Sequence, residues 1–303
     1  QESTIKTVVD SIKYNTDPPS TDPPEQTNSI EYLDKDTGVK FTVPANWPEK
    51  ELSKAQKLID MTEDAYIMLA KHGGPSFGGL KNVSNALARA KAGAMLTMKE
   101  LLDIGSTVRA VRNLRDWRDG SGQDPLSIDI YFSSLMPNKF LEEKIFSAIL
   151  SEDEMSDNAS PELSNIRRKI KNQENAVREK LEKIIRSQNL KNVLQDAIIT
   201  QRNGRYVVPV KSEHRATVSG LVHDTSSTGA TVFVEPAGVV EANNELKTLA
   251  AEEDREIERI LASLSADCGE ACSLISIDYH IFIVIIIVHS KFIPSLFIFV
   301  GIE

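Results

Sequence analysis

Five basic side chains, Arg202, Arg205, Lys211, His214 and Arg215, fall within one short stretch of the chain. Cations so grouped can meet nucleic-acid phosphates, and each phosphate neutralised adds to the salt dependence of binding. Such contacts position a protein on its target and do not read bases. Glu213, Asp224 and Glu235 lie nearby and dilute the positive field, so an ordinary solvated β surface is the competing reading. His223-Asp224 followed by Ser226 and Ser227 has the residue types of a hydrolase. A triad is defined by geometry, however, and neighbours on one strand point to opposite faces. Hydrogen bonds that shape a turn are the better reading. Glu235-Pro236 and Asn243-Asn244 read as turn and helix-entry residues. Cys268 and Cys272 stand one helical turn apart, with no second His or Cys pair near them. A structural metal needs about four ligands, so they read as reduced apolar side chains in a reducing compartment. No catalytic residue, metal site or cofactor site is assigned.

The whole chain must place these groups. It has 303 residues, 41% hydrophobic and 26% charged, with a formal net charge of -9. Most of it should be ordered. A negative chain does not coat nucleic acid by bulk charge, so any contact must be local. It opens at Gln1, which reads as a fragment or processed product, and no secretory signal leads it. A soluble protein of the cytoplasm, or of an organellar stroma or matrix, is expected.

Residues 1–16 show helical spacing of Ile5, Val8, Val9 and Ile12. Asp17 to Pro24 is a proline-rich extended linker, and 25–46 carry no clear pattern. From Pro48 a helical stripe (Leu52, Ala55, Leu58, Ile59, Met61, Ala65) runs toward Leu69 and ends at His72-Gly73-Gly74-Pro75. Asn82 to Ala92 predicts a second helix. Thr97 and Glu100 have the spacing of a capping box opening a third. That helix turns Leu101, Leu102, Ile104, Val108, Val111 and Leu114 inward. Leu135 to Leu150 predicts a fourth, with Phe140, Leu141, Ile145, Phe146 and Ile149 as its apolar face.

After an acidic loop, Ser160 caps a long helix that has Pro161 in its first turn and reaches about Ser187. Its seam is Leu163, Ile166, Ile170, Val177, Leu181 and Ile184, and basic residues fill the other faces. Residues 244–266 repeat the pattern with Leu246, Leu249, Ile257, Leu261 and Leu264 among acidic residues. A narrow seam on a charged helix predicts pairing with one partner helix, here antiparallel and basic against acidic. Between the two lie strand-like 205–211, where Pro209 suggests an edge, then 218–222 and 231–234. Ser226-Ser227-Thr228-Gly229 is the turn between the last two. The fold class expected is mainly α with a small antiparallel β subdomain.

Several blocks resemble the MutS type-2 family. They are Asp157-Asn158-Ala159-Ser160-Pro161-Glu162-Leu163 with Ile166-Arg167-Arg168, then Thr200 to Lys211, then Gly220 to Pro236, then Asn243-Asn244-Glu245-Leu246. The likeness covers roughly 50–272, is dense over 157–260, and keeps the motifs in order. It implies a helical core domain, antiparallel coiled-coil lever arms and a β clamp. It divides the chain into a divergent segment 1–47, a core domain 48–156, an outgoing lever 157–199, a clamp 200–243, a returning lever 244–272 and a tail 273–303. It implies DNA as partner, through the phosphate backbone at Arg202, Arg205, Lys211, His214 and Arg215. For the full-length family it also implies a homodimer, ATP and Mg, endonuclease activity, mismatched or branched DNA, restraint of recombination, and the ribosome. The sequence departs where the ATPase should follow. It has no Gly-x-x-x-x-Gly-Lys-Ser/Thr loop to cradle phosphates and no nuclease portion, so catalysis by this chain is not expected, and it reads as truncated before the ATPase.

Past Cys272 the family pattern stops. Residues 279–303 are dominated by Ile, Phe and Val, and read as non-native sequence from a retained intron or frameshift. A membrane span would have to accommodate Asp278, His289, Lys291 or Pro294, against the ~20 apolar residues a bilayer needs, so a membrane partner is not expected. The alternatives to DNA binding are a coiled-coil interaction module and a tail-anchored membrane protein.

Overall fold

A computed structural model describes residues 29–33, 40–44, 49–122 and 125–290. The helix expected at 1–16 and the linker at 17–24 lie outside the described residues. The chain divides between Asp60 and Met61 into two compact units. In the first, β1 (Ser29–Leu33) and β2 (Lys40–Pro44) form an antiparallel hairpin with Glu31 opposite Thr42, in a stretch whose sequence shows no clear pattern. Helix α1 (Glu49–His72) crosses the division. The Gly73 N–H caps it on the Leu69 carbonyl at 3.0 Å, at a φ of +73° that favours glycine.

The second unit begins as a helical body. It contains α2 (Ser84–Lys91), α3 (Met98–Gly120), α4 (Asp129–Ser134) and α5 (Lys139–Ala148). The Thr97–Glu100 capping box opens α3 as expected. Leu101, Ile104, Val108, Val111 and Leu114 are buried along it, and Leu102 packs at the margin. Gly105 lets α5 approach closely, since a Cβ there would lie 3.1 Å from Ile145. Glu142 of α5 then receives Arg109 and Arg112 of α3, each at 2.8 Å.

The single helix expected over 135–150 is corrected to the shorter α5. Leu135 to Pro137 is non-helical, Asn138 caps α5 through the Leu141 N–H at 3.0 Å, and Ile149 already belongs to a strand. Proline disfavours helix at the residue before it. Phe140, expected on the apolar face, is 75% exposed. Helix α4 has no counterpart among the sequence expectations. It is only six residues long, too short to show a period, and is held by Arg118, whose guanidinium meets the Asp129 carboxylate at 2.5 and 2.8 Å. A small hairpin, β3 (Ile149–Ser151) with β4 (Glu154–Met155), occupies part of the loop expected after residue 151.

The arms follow. Ser160 caps α6 (Pro161–Ile185) by accepting from the Leu163 N–H at 3.0 Å. Helix α7 (Val240–Glu270) returns alongside it. At about 1.5 Å per residue they are about 37 and 46 Å long. Their seam joins two cores. Leu163, Ile260, Leu261 and Leu264 pack with the body, and Val177, Leu181 and Leu246 pack under the sheet. One ion pair joins the two helices among the described residues, Arg167 to Glu253 at 2.7 Å. The basic-against-acidic pairing is thus realised at one place.

Between the arms, β5 (Thr200–Arg202), β6 (Arg205–Lys211), β7 (Gly220–Thr225) and β8 (Thr231–Pro236) form an antiparallel sheet in the order β5-β6-β8-β7. Strand β6 is therefore interior, and the edge expected from Pro209 is corrected. The proline is tolerated because β5 pairs only with Arg205 to Val207. Beyond it, the Pro209 carbonyl accepts from the Gln195 N–H at 3.0 Å, and no strand there requires the missing donor. The turn at 226–229 forms as expected, with the Gly229 N–H on the Ser226 carbonyl at 2.8 Å.

The described part of the tail forms α8 (Cys272–Ser290), a helix for which the sequence reading assigned no element. Ile281, Phe282, Ile285 and Ile286 are buried against Ala65, Met68, Leu114, Ile128 and Phe132. A helix apolar all round suits burial as well as a membrane, and tertiary packing here outweighs the low helix propensity of isoleucine and valine. Among the described residues, no single helix is long and apolar enough to cross a membrane.

Candidate nucleic-acid interface

The sheet places the basic residues by register. Tyr206, Val208 and Val210 of β6 face the arms and are buried. Alternation sends Arg205 and Lys211 to the other face. Arg202 lies opposite Arg205, and Phe233 opposite Pro209, so both share that outer face.

Arg202 stacks over the Phe233 ring at 4.0 Å and meets the Asp224 carboxylate at 3.2 Å. Arg205 is bound more tightly into the fold. It donates to both Glu235 oxygens at 2.8 and 3.2 Å and to Asn244 Oδ1 at 2.6 Å. Arg215 braces a loop, donating to the Val218 carbonyl at 2.9 Å and the Gly220 carbonyl at 2.8 Å. Lys211 ends β6, half-buried, with no ion pair among the described residues. His214 follows, partly exposed, 3.6 Å from the Glu213 carboxylate. The five are not one cluster. Arg202 and Arg205 sit at one end of β6 and Lys211 at the other, about 20 Å away by strand rise, while Arg215 is held at the start of β7, where Gly220 pairs with Pro236.

Glu235 organises the first end. It is fully buried, and its carboxylate also accepts from Asn243 Nδ2 at 2.7 Å and contacts His223 Nε2 at 2.5 Å. Burial pushes its carboxyl up, but the bonds from Asn243, His223 and Arg205 prevail and hold it below the usual range. Asn243 continues the network to the backbone of Tyr206. The sequence reading of Glu235 and Asn243 as turn and helix-entry residues misses this buried group. The available signal is a lone glutamate in the apolar strand Thr231–Pro236, because a buried carboxylate requires a cation or several donors. His223 and Asp224 point to different partners, Glu235 and Arg202, and Ser226 Oγ accepts from the Thr231 N–H at 3.1 Å.

On the arm, Arg178 lies 5.7 Å from the Tyr206 ring centroid, and Tyr206 donates its hydroxyl to Glu174 at 3.1 Å. At the far end of α6 a shallow open groove of about 720 Å³ is lined by Glu182, Ile185, Arg186, Lys191, Ile198 and Ile199, among others. Among the described residues no group of three or more His, Cys, Asp and Glu is placed to hold a metal.

No family model matches the chain. Among curated proteins it is similar to Endonuclease MutS2 of Acetivibrio thermocellus, 41% identical over 224 residues, which is 73% of this chain and 28% of the relative. It is 42% identical over 224 residues to Endonuclease MutS2 of Ruminiclostridium cellulolyticum, with the same shares of each chain covered. It is 50% identical over 194 residues to that of Pelotomaculum thermopropionicum, covering 64% of this chain and 25% of the relative. The chain thus spans between a quarter and a third of the length of these relatives.

Proposed function

Because the chain belongs to the MutS2 family over the segment it shares with these relatives, we propose that it is the nucleic-acid-gripping part of a MutS2-type protein. In this reading a two-helix lever holds a β clamp against the phosphate backbone of DNA. One observation carries it: the α6–α7 seam is rooted in the core of the helical body and ends in the core of the sheet. A pair of packed helices sharing both cores transmits a displacement from one end to the other. In this reading the contacts fall to Lys211, at the end of β6, and His214, just beyond it, as the cations least engaged within the fold, while Arg205 and Arg215 brace the sheet and the loop beside it.

The relatives' name describes an endonuclease. The sequence carries no phosphate-cradling lysine loop, so in this reading cutting and ATP use belong to parts of the relatives that this chain does not match. Two copies would close on the DNA from opposite sides, as the whole protein's dimer.

The test is fluorescence anisotropy of the full chain with linear and branched duplex DNA across a salt series. Saturable binding that weakens linearly in log affinity against log salt supports the reading. Failure to bind either DNA at low salt overturns it and leaves a coiled-coil interaction module.

A further inference from the structure

The outgoing arm carries more free positive charge than the clamp. At 3.6 residues per turn, Asn165, Lys169, Asn172, Ala176, Lys180 and Lys183 follow one another at spacings of four, three, four, four and three. That is one continuous stripe from Asn165 to Lys183 with no acidic residue within it, and Glu162, one step before Asn165, bounds it at the start of the helix. Lys169, Asn172, Lys180 and Lys183 are exposed, and the three lysines have no ion pair among the described residues. The stripe is distinct from the packed seam of Leu163, Ile166, Val177 and Leu181. It is also distinct from the flank that meets the sheet, where Glu174 and Arg178 contact Tyr206. On the returning helix, the Glu245 carboxylate is already taken by Gln173 at 2.7 Å. The remaining exposed face of α6 is mixed in sign: Arg168, Lys171 and Arg186 alternate there with Glu179 and Glu182, and Arg186 pairs with Glu182 at 3.0 Å.

We propose that Lys169, Lys180 and Lys183 form a rail on the lever that binds the phosphate backbone of duplex DNA. The inference rests on the proposed function and adds an electrostatic contact on the arm to the one on the clamp. Lysine suits such a rail because it is a mobile point charge that follows an anionic surface without demanding bidentate geometry. The helical rise from Lys169 to Lys183 is about 21 Å, and a duplex presents about one charge per 1.7 Å of axis. The asparagine side chains in the stripe add hydrogen-bond donors to phosphate without repulsion. In a chain of net charge -9, a one-signed stripe is the kind of local surface that binding by phosphate requires.

The experiment compares the full chain with the triple variant Lys169→Glu, Lys180→Glu and Lys183→Glu, and with a second triple in which the same lysines become arginine. Linear duplex DNA is the ligand, anisotropy is read across a salt series, and circular dichroism checks that the helices remain. The slope of log affinity against log salt should fall in magnitude by about 2.7 in the glutamate variant, from three contacts at about 0.9 each. The arginine variant should keep the original slope. If the glutamate variant does not fold, the lysine-to-glutamine triple replaces it with the same expectation. A glutamate or glutamine variant with unchanged slope and affinity overturns the rail while leaving the proposed function standing. An unaltered chain that binds no DNA removes both.

Discussion

The side-chain amide of Asn243 stands in for a strand beside Tyr206, accepting from its N–H at 3.2 Å and donating to its carbonyl at 3.0 Å. Strand β8 pairs with β6 only from Val208 onward, so the first turn of α7 supplies the pairing that β8 does not. The same Nδ2 reaches Glu235 at 2.7 Å. One buried residue thereby fastens the returning lever to the sheet it carries.

Asn243→Ala should be costly. It leaves the buried Tyr206 N–H and carbonyl without this partner and withdraws a donor from Glu235. At about 1–3 kcal/mol per stranded buried group, a loss of about 3 kcal/mol is expected in denaturant unfolding. A loss under about 1 kcal/mol, the low end of that range, would show that water replaces the amide and that the joint is looser than described.

Ser160 both caps α6 and donates to Glu256 of α7 at 2.6 Å, where Arg259 also binds. Arg259 pulls the Glu256 carboxyl down, against the upward push of burial and with help from Ser160, to about 2. A carboxyl depressed in the folded state contributes stability that is present above its unfolded pKa and is lost as pH falls from about 4.5 toward 2. Ser160→Ala should cost about 1 kcal/mol at neutral pH through the lost cap and should shrink that acid-side loss. Unfolding midpoints at about pH 7 and pH 3, on either side of the unfolded carboxyl's titration, measure both. An unchanged difference between them counts against the link.

Asp278 behaves in the opposite sense. It is buried in the apolar face of α8, and its carboxylate accepts from the Met136 N–H at 2.9 Å. Burial pushes it up to about 6, with the Met136 bond pulling the other way. Here the folded state holds the proton more tightly than the unfolded one, so stability declines as pH rises from about 4 to about 6 and stays reduced above. Asp278→Asn keeps the acceptor for Met136 and removes the buried charge. It should stabilise the protein at about pH 8 by about 2–3 kcal/mol, from roughly two pKa units at about 1.4 each, and have little effect at about pH 4. Equal effects at both pH values would mean that the carboxyl is hydrated.

What the sequence discloses here follows the range of each signal. The Thr97–Glu100 box, Ser160-Pro161, and the seam from Leu163 to Leu181 are local patterns, and they form as expected. The pairing of Arg205 with Glu235 joins residues thirty apart. No local spacing encodes it, so Arg205 reads from sequence as a surface cation. Helix α8 is not legible for another reason: its Ile, Val and Phe content shows no polar face, so no helical period announces it in the sequence. The lysine stripe of α6 is present in the sequence, but its separation from the mixed-sign face depends on where the returning helix and the sheet pack, and only the fold fixes that.

The division between shaping and contacting cations gives a last expectation. Arg205 is largely buried against a fully buried carboxylate, at 18% side-chain exposure. Lys211, at the other end of β6, has no ion pair among the described residues. Removing one partner of a buried pair leaves an uncompensated charge, at a cost of about 3–5 kcal/mol. The remaining bonds from Asn243 and His223 place Arg205→Ala at the lower end, about 3 kcal/mol. Lys211→Ala should leave the unfolding midpoint nearly unchanged and weaken DNA binding, reducing the salt slope by about 0.9 for one phosphate. Thermal unfolding and salt-dependent anisotropy on both variants separate the two roles. If Arg205→Ala is as stable as the unaltered chain, the Glu235 network does not hold the clamp, and if Lys211→Ala binds with the original slope, the outer face near the end of β6 does not touch the backbone.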